Sequence, residues 1–389
     1  MTSVTPQERA PGGPGGQRKR EPARPTREPP GRAGVPTPVV LSGSRAGGLA
    51  QRPVDTAMPS AGPLVDTFGR VHDDLRISVT DRCNLRCVYC MPEEGLTFLP
   101  RAELLDFEEI VRAAAVAHRL GVRSVRITGG EPLVRRDIVD LVRMLAAVGF
   151  ADLSLTTNGM GLATLARPLA DAGLQRVNVS CDSLQADRYA RLRRRGDLHR
   201  VLAGMAAAEE AGLAPMKVNV VLLPGENDDE ILAFADFARR TGRIVRFIEY
   251  MPLDADGAWQ PDRVVEGARV VAEISARWPL EEVPGSKVDH APAERFRFVD
   301  GGGEIGVVSS VTQPFCGTCN RLRLTADGSL RNCLFSDDEL SVRDVMRSGG
   351  SDEDLATVFR RSVWGKAAGH GINAPGFVPP VRSMSMIGG

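Results

Sequence analysis

Six of the seven cysteines fall into two triplets, and those triplets are where this sequence most plainly offers chemistry. The first is Cys83-Asn84-Leu85-Arg86-Cys87-Val88-Tyr89-Cys90, a C-x3-C-x2-C run. Three thiolates this close on one segment can surround a single metal centre without long-range folding. Structural zinc takes four ligands, and the nearest histidine, His72, stands eleven residues upstream of Cys83. A cubane iron-sulfur cluster suits three cysteines better, because three irons take the thiolates and the fourth iron stays open for a ligand. The second triplet, Cys316, Cys319 and Cys333, has the spacing C-x2-C-x13-C. That spacing alone fits half of a zinc ribbon as well as it fits a second cluster. The missing fourth ligand separates the two readings, since none of His72, His118, His199, His290 and His370 sits beside a cysteine pair. An open coordination position is where substrate or cofactor binds. Cys181, the seventh, stands alone in a β-branched run and reads as a small buried hydrophobe. An odd count also argues against a closed disulfide framework.

The elements that must position these residues alternate regularly. Short β-branched runs over 75–80, 124–128, 153–157, 176–181, 216–223 and 244–251 are separated by stretches with helical apolar spacing over 108–120, 137–148, 162–172, 198–211 and 230–241. Gly173, Gly212 and Gly242 follow three of those stretches as stops. Six strands alternating with five helical stretches predict a parallel sheet, either open or an incomplete barrel, with its site at the C-terminal ends of the strands. The first triplet directly follows the first of those strands. Residues 295–299 and 305–311 predict two strands joined by Asp300-Gly301-Gly302-Gly303-Glu304. That join contains a formal G-x-G-x-x-G, but a strand follows it, so it reads as a hairpin turn and not a dinucleotide site. No phosphate loop of the G-x-x-x-x-G-K-[ST] type occurs, and any nucleotide must be held by other means.

Composition divides the chain. The 49 basic and 49 acidic residues cancel to zero, which gives no sign of a nucleic-acid partner held by bulk charge. Residues 1–50 hold nine Pro and nine Gly, no aromatic and no Cys, with eight basic against three acidic residues. The zero is therefore a +5 extension and a −5 remainder. Such a segment has too little to bury to offset the entropy of ordering, so 1–65 is expected to be a disordered extension, 66–283 a partial barrel, and 284–389 a C-terminal cluster-binding region. No apolar run makes a signal peptide or a spanning helix, so the expected location is the cytoplasm, with no membrane partner.

The cysteine loop with Tyr89 before its third cysteine, placed after the first strand, resembles the signature of the radical S-adenosylmethionine family. Thr128-Gly129-Gly130-Glu131-Pro132 is similar to that family's methionine-binding loop. More narrowly, Asp81 to Asn84, Tyr89 to Pro92, Thr156 to Gly159, Lys217 to Asn219, Arg246 to Glu249, Cys316 to Arg323 and the terminal Gly388-Gly389 resemble the branch of lyases that cyclises GTP in the first step of molybdopterin synthesis. The match runs from about residue 68 to the end. It implies an incomplete (β/α)6 TIM-type barrel whose C-terminal extension carries a second cluster. It further implies 4Fe-4S clusters on Cys83, Cys87 and Cys90 and on Cys316, Cys319 and Cys333. S-adenosylmethionine would contact Tyr89, Gly130, Ser180 and Met251. GTP would contact Arg76, Arg126, Thr156, Lys217, Arg321 and Arg323, with Arg76, Gly388 and Gly389 in catalytic roles.

The reaction so implied starts with one-electron cleavage of S-adenosylmethionine. Hydrogen abstraction from C3′ of the ribose and attack on C8 follow, giving (8S)-3′,8-cyclo-7,8-dihydroguanosine 5′-triphosphate. Partners implied are an external electron donor and the next enzyme of molybdopterin synthesis, for a monomer or homodimer. Physical chemistry agrees with these roles: GTP brings about four negative charges, and arginine meets phosphate oxygens bidentately. Two other readings compete, a radical S-adenosylmethionine enzyme that modifies peptides with an auxiliary cluster, and a zinc-binding interaction module. The first usually carries a longer cysteine-rich C-terminal region, whereas only three cysteines follow Cys181.

Overall fold

The structure is a computed structural model that describes residues 57–95, 97–254, 257–285 and 291–388. The β-branched runs form β1 (Asp74–Ser78), β2 (Ser124–Thr128), β3 (Asp152–Thr157), β4 (Arg176–Ser180), β5 (Lys217–Leu222) and β6 (Ile244–Glu249). They pair in that order, all parallel. The helices between them are α1 (Phe107–Arg119), α2 (Ile138–Val148), α3 (Leu162–Asp171), α4 (Ala186–Arg193), α5 (Leu198–Glu210) and α6 (Ile231–Thr241). Their ends follow local chemistry. Asp106 and Glu109 form a reciprocal capping box that starts α1, and Gly149 and Gly242 stop α2 and α6 in the left-handed conformation.

Strand periodicity decides which residues reach the site. One parity (Leu75, Ile77, Val125, Ile127, Leu155, Val179, Val220, Phe247) is buried in the apolar core. The other parity (Arg76, Arg126, Thr156, Ser180, Asn219, Arg246) faces one cavity. A parallel sheet covered by helices on one side only thus lines its other side with polar side chains.

The C-terminal part completes this sheet. After α7 (Gly267–Arg277) come β7 (Leu280–Glu282), β8 (Glu294–Phe298) and β9 (Glu304–Val308), and β8 with β9 is the expected hairpin. β9 then adds parallel to β6, while β10 (Arg321–Leu324) adds parallel to β1 at the opposite edge. The short β11 (Ser329–Arg331) and β12 (Leu340–Ser341), with α8 (Val342–Arg347), α9 (Asp352–Trp364) and α10 (Met384–Ile387), complete the described chain. The twelve strands run β12-β11-β10-β1-β2-β3-β4-β5-β6-β9-β8-β7, and β12 and β7 do not pair, so the barrel is an open arc.

Packing runs across the sequence positions 65 and 284. β9 and β10 share ladders with β6 and β1, and the described residues on both sides of residue 284 fall in one compact unit. The extension expected over 1–65 lies outside the described residues as far as 56, but its end is folded: Leu64 is buried, and its amide donates to Leu120 O at 3.2 Å. The Pro/Gly excess behind the expectation lies in residues 1–50, whereas the end of the segment carries the apolar pair Leu64 and Val65. Among the described residues no helix is long and apolar enough to cross a membrane.

Candidate active site

β1 ends at Ser78, and the chain turns directly into the first cysteine loop. Amides of Cys90 and Met91 donate to Cys87 O at 3.0 and 3.1 Å, and Leu85 N donates to Cys83 Sγ at 3.3 Å. The end of α4 docks this loop: Arg86 N donates to Arg193 O, and Val88 N to Leu192 O at 3.1 Å. Arg193 then reaches back under the loop. Its Nη1 donates to Cys87 Sγ at 3.1 Å, its Nη2 lies 2.7 Å from Asp182 Oδ2, and its guanidinium stacks 5.6 Å from the Tyr89 ring. Tyr89 donates its hydroxyl proton to the same Asp182 oxygen at 2.8 Å. Burial pushes the Cys87 thiol up, and Arg193 opposes it.

On the other side the Gly-Gly-Glu segment after β2 clasps the cysteine loop. Gly130 N donates to Thr80 O at 2.7 Å and Glu131 N to Arg82 O at 2.8 Å. A Cβ on Gly130 would lie 2.8 Å from Asp81 O. This glycine is needed for loop-on-loop contact within the chain itself, independently of any ligand. Glu131 is buried and accepts from Thr157 Oγ1 and Asn158 N, both at 2.7 Å; burial pushes its carboxyl up to about 7.

The second triplet faces the same cavity from the C-terminal part. Lys366, buried behind it, donates from Nζ to Cys319 Sγ at 3.3 Å and to Arg321 O at 2.9 Å. Burial raises the Cys319 thiol, but Arg321 and Lys366 outweigh it and bring it down to about 6. That is a thiolate environment. Asn332 holds the Cys333 segment by donating to Ser362 O at 2.8 Å.

Between the triplets lies a cavity of about 280 Å³, lined by all six cysteines and by Arg76, Arg126, Thr156, Arg321 and Arg323. Tyr89, Gly130, Ser180 and Met251 line it too. Arg76 is buried; burial and then Arg323, Arg126 and Arg321 hold its pKa well below the ordinary value. Arg76 Nε, Arg321 Nε and Arg321 Nη2 are buried without a hydrogen-bond partner. Arg126 has only a long contact to Ser154 Oγ at 3.4 Å. Arg76 and Arg321, buried with unspent donors, stand with Arg126 and Arg323 and no carboxylate is bonded to any of the four, which makes an anion site, since buried polar groups are otherwise paired.

Two expected residues are placed differently. Lys217 does not line the cavity; it lies two residues before Asn219 on the same face of β5, and burial with Arg246, Arg176 and Arg126 lowers its pKa to about 7. Gly388 accepts a hydrogen bond from Arg323 Nη1, and a Cβ on it would meet Thr128 Oγ1 and lie 3.0 Å from Ser78 Cβ. The tail thus enters the polar face of the sheet; Gly389 lies outside the described residues. Cys181 is fully buried, as expected, with burial pushing its thiol up to about 12.

Sequence reasoning missed four site residues. Arg246 reaches across the cavity floor to Asn219 Oδ1 at 2.9 and 2.7 Å and Asn178 Oδ1 at 3.1 Å. Arg193, Asp182 and Lys366 were invisible because each acts through a distant partner, and α4, which carries Arg193, is too short and charged to show an apolar stripe.

The donor set fits two iron-sulfur clusters. Each triplet has a sulfur accepting a hydrogen bond from a buried cation, as a charged thiolate would, and both triplets open on one cavity. Among the described residues no three His, Cys, Asp or Glu side chains converge tightly enough for a single metal ion.

An open parallel arc carrying a C-x3-C-x2-C loop after its first strand defines the radical S-adenosylmethionine class. The Radical SAM superfamily model matches residues 77–238, and the Molybdenum Cofactor Synthesis C model matches 243–372. Solved structures with this fold include SuiB of Streptococcus suis bound to S-adenosylmethionine (TM-score 0.51, 16% identity, 77% of this chain and 68% of that one). Another is anSMEcpe with bound AdoMet (TM-score 0.52, 14% identity, 77% and 82% covered). Curated relatives named GTP 3′,8-cyclase are far more similar. That of Mycobacterium sp. strain KMS is 50% identical over 335 residues, covering 85% of this chain and 95% of the relative. That of Rhodococcus opacus strain B4 is 51% identical over 337 residues, covering 85% and 94%. The chain belongs to the GTP 3′,8-cyclase family.

Proposed function

We propose that this chain cyclises GTP to (8S)-3′,8-cyclo-7,8-dihydroguanosine 5′-triphosphate, the first step of molybdopterin synthesis, in the cavity between its two cysteine triplets. The observation that carries this reading is the group of buried guanidinium donors without partners beside the second triplet. Arg76, Arg126, Arg321 and Arg323 take the triphosphate, and its charge offsets the burial that, with neighbouring arginines behind it, lowers the pKa values of Arg76, Arg126 and Arg323. Cys83, Cys87 and Cys90 hold the first 4Fe-4S cluster, and Cys316, Cys319 and Cys333 the second. Bound there, the first cluster and S-adenosylmethionine supply a carbon radical able to abstract hydrogen, while the protein places substrate and excludes water.

Tyr89, Gly130, Ser180 and Met251 border S-adenosylmethionine, and Thr156 borders the nucleoside. Gly388, fixed by Arg323, brings the tail to the reacting end of GTP. The enzyme works in the cytoplasm with an external one-electron donor and passes its product to the next enzyme of the pathway.

Replacing one cysteine of each triplet tests the division of labour. Cys87→Ala is expected to abolish 5′-deoxyadenosine formation. Cys316→Ala is expected to retain it while cyclised product is lost and iron falls from about eight to about four per chain. Equal loss of both activities in the two variants would remove the assignment.

A further inference from the structure

Arg70 lies ahead of β1, in a turn closed by the Val65–Val71 bridge. Its guanidinium is buried, and its donors are spent almost entirely on main chain from the other end of the protein. Nη1 donates to Cys316 O at 2.6 Å and Ala368 O at 3.0 Å, and Nη2 donates to Ala367 O at 2.7 Å. The third nitrogen, Nε, bonds Asp66 Oδ2 at 2.6 Å. Asp66 is itself fixed: its Oδ1 accepts from Phe68 N at 2.9 Å and Arg70 N at 3.0 Å, and His72 Nε2 lies 3.0 Å from Oδ2, the oxygen that Arg70 Nε bonds. Burial pushes the Asp66 carboxyl up, but His72 and Arg70 outweigh it and hold the group at about 2. The guanidinium is therefore pinned by a permanent anion on one side and grips three carbonyls on the other.

Of the two gripped segments, one carries the second triplet and the other supports it. One carbonyl belongs to Cys316 itself. The others follow Lys366, whose Nζ meets Cys319 Sγ at 3.3 Å. A buried planar fork that spends its donors on carbonyls fixes backbone positions, and an ammonium cannot copy it.

We propose that Arg70 is a positioning residue for the second iron-sulfur cluster, setting the Cys316 backbone directly and the Lys366–Cys319 contact through Ala367. This rests on the reading that Cys316, Cys319 and Cys333 are that cluster's ligands. The hydrogen bonds of Arg70 reach no residue of the first cysteine loop, so the effect is selective.

The test compares Arg70→Met, Arg70→Lys, Asp66→Asn and Cys316→Ala in the full chain after anaerobic reconstitution with iron and sulfide. Iron count, the electron paramagnetic resonance signal of each reduced cluster, and 5′-deoxyadenosine and cyclised GTP are measured. Arg70→Met is expected to fall from about eight irons to about four, keep the first cluster's signal and S-adenosylmethionine cleavage, and lose at least tenfold in product per 5′-deoxyadenosine. Arg70→Lys, keeping charge without the fork, is expected to recover only part of the second signal. Full iron and coupled turnover in Arg70→Met would overturn the proposal, as would parallel loss of both clusters. Should Arg70→Met not fold, Asp66→Asn decides: a weakened second signal beside an intact first one supports the proposal, and two intact signals refute it. If Cys316→Ala keeps about eight irons, the ligand assignment fails, and not the role of Arg70.

Discussion

Arg76, Arg126, Arg321 and Arg323 gather like charges where desolvation alone is already costly, and Asp74 offsets Arg76 and Arg126 only through space, without an ion pair. Such a cluster is tolerable when a polyanion completes it. Lys217, deeper in the same polar face, sharpens the point because its charge is conditional. With its pKa lowered to about 7 by burial and by neighbouring arginines, it is mostly charged at pH 6 and mostly neutral at pH 8. Proton loss on raising pH removes a cation, so the KM for GTP is expected to rise across that interval by up to about tenfold, or ~1.4 kcal/mol. In Lys217→Arg the guanidinium stays charged and this rise should vanish. The ionisation of GTP itself is common to both proteins, so the ratio of their KM values isolates the lysine; a constant ratio would place Lys217 outside substrate binding. At this scale the sequence was most legible where chemistry repeats locally, as in the cysteine spacing and the alternation of Arg321 and Arg323. Arg193 and Arg70 gave no local signal, because their meaning lies in partners 106 and 246 residues away; Arg246 stood in a segment that carried the resemblance, but its role lies with a partner 68 residues away.

Elements decide how those residues meet. The six parallel strands were readable from β-branched runs because a strand buried by helices on one face leaves a period-two pattern. What could not be read was where β9 and β10 attach, since strand pairing at a sheet edge leaves no mark in either segment's own sequence. Their attachment beside β6 and β1 brings Cys316 and Cys319 opposite the first triplet. The tail is the last element to be placed. Gly388 has φ of +73°, and any side chain there would meet Thr128 and Ser78. Gly388→Ala is accordingly expected to leave about eight irons and 5′-deoxyadenosine formation intact while lowering cyclised product at least tenfold, as would removal of Gly388 and Gly389. Full product yield in either variant would make the tail a frayed end.

Over the whole molecule, zero net charge conceals the arrangement that matters. A body of net −5 surrounds a cavity whose buried charge is strongly positive, so bulk electrostatics says little about the ligand and the local field says much. Both triplets open on that one cavity, which asks for a single substrate held at one end and attacked at the other. Deuterium transfer tests this directly. The anaerobically reconstituted protein is given S-adenosylmethionine, a one-electron reductant and GTP deuterated at C3′, and the 5′-deoxyadenosine is analysed by mass spectrometry. Deuterium in 5′-deoxyadenosine, formed together with the 3′,8-cyclised nucleotide, is the expected result. Undeuterated 5′-deoxyadenosine with unchanged GTP would contradict it.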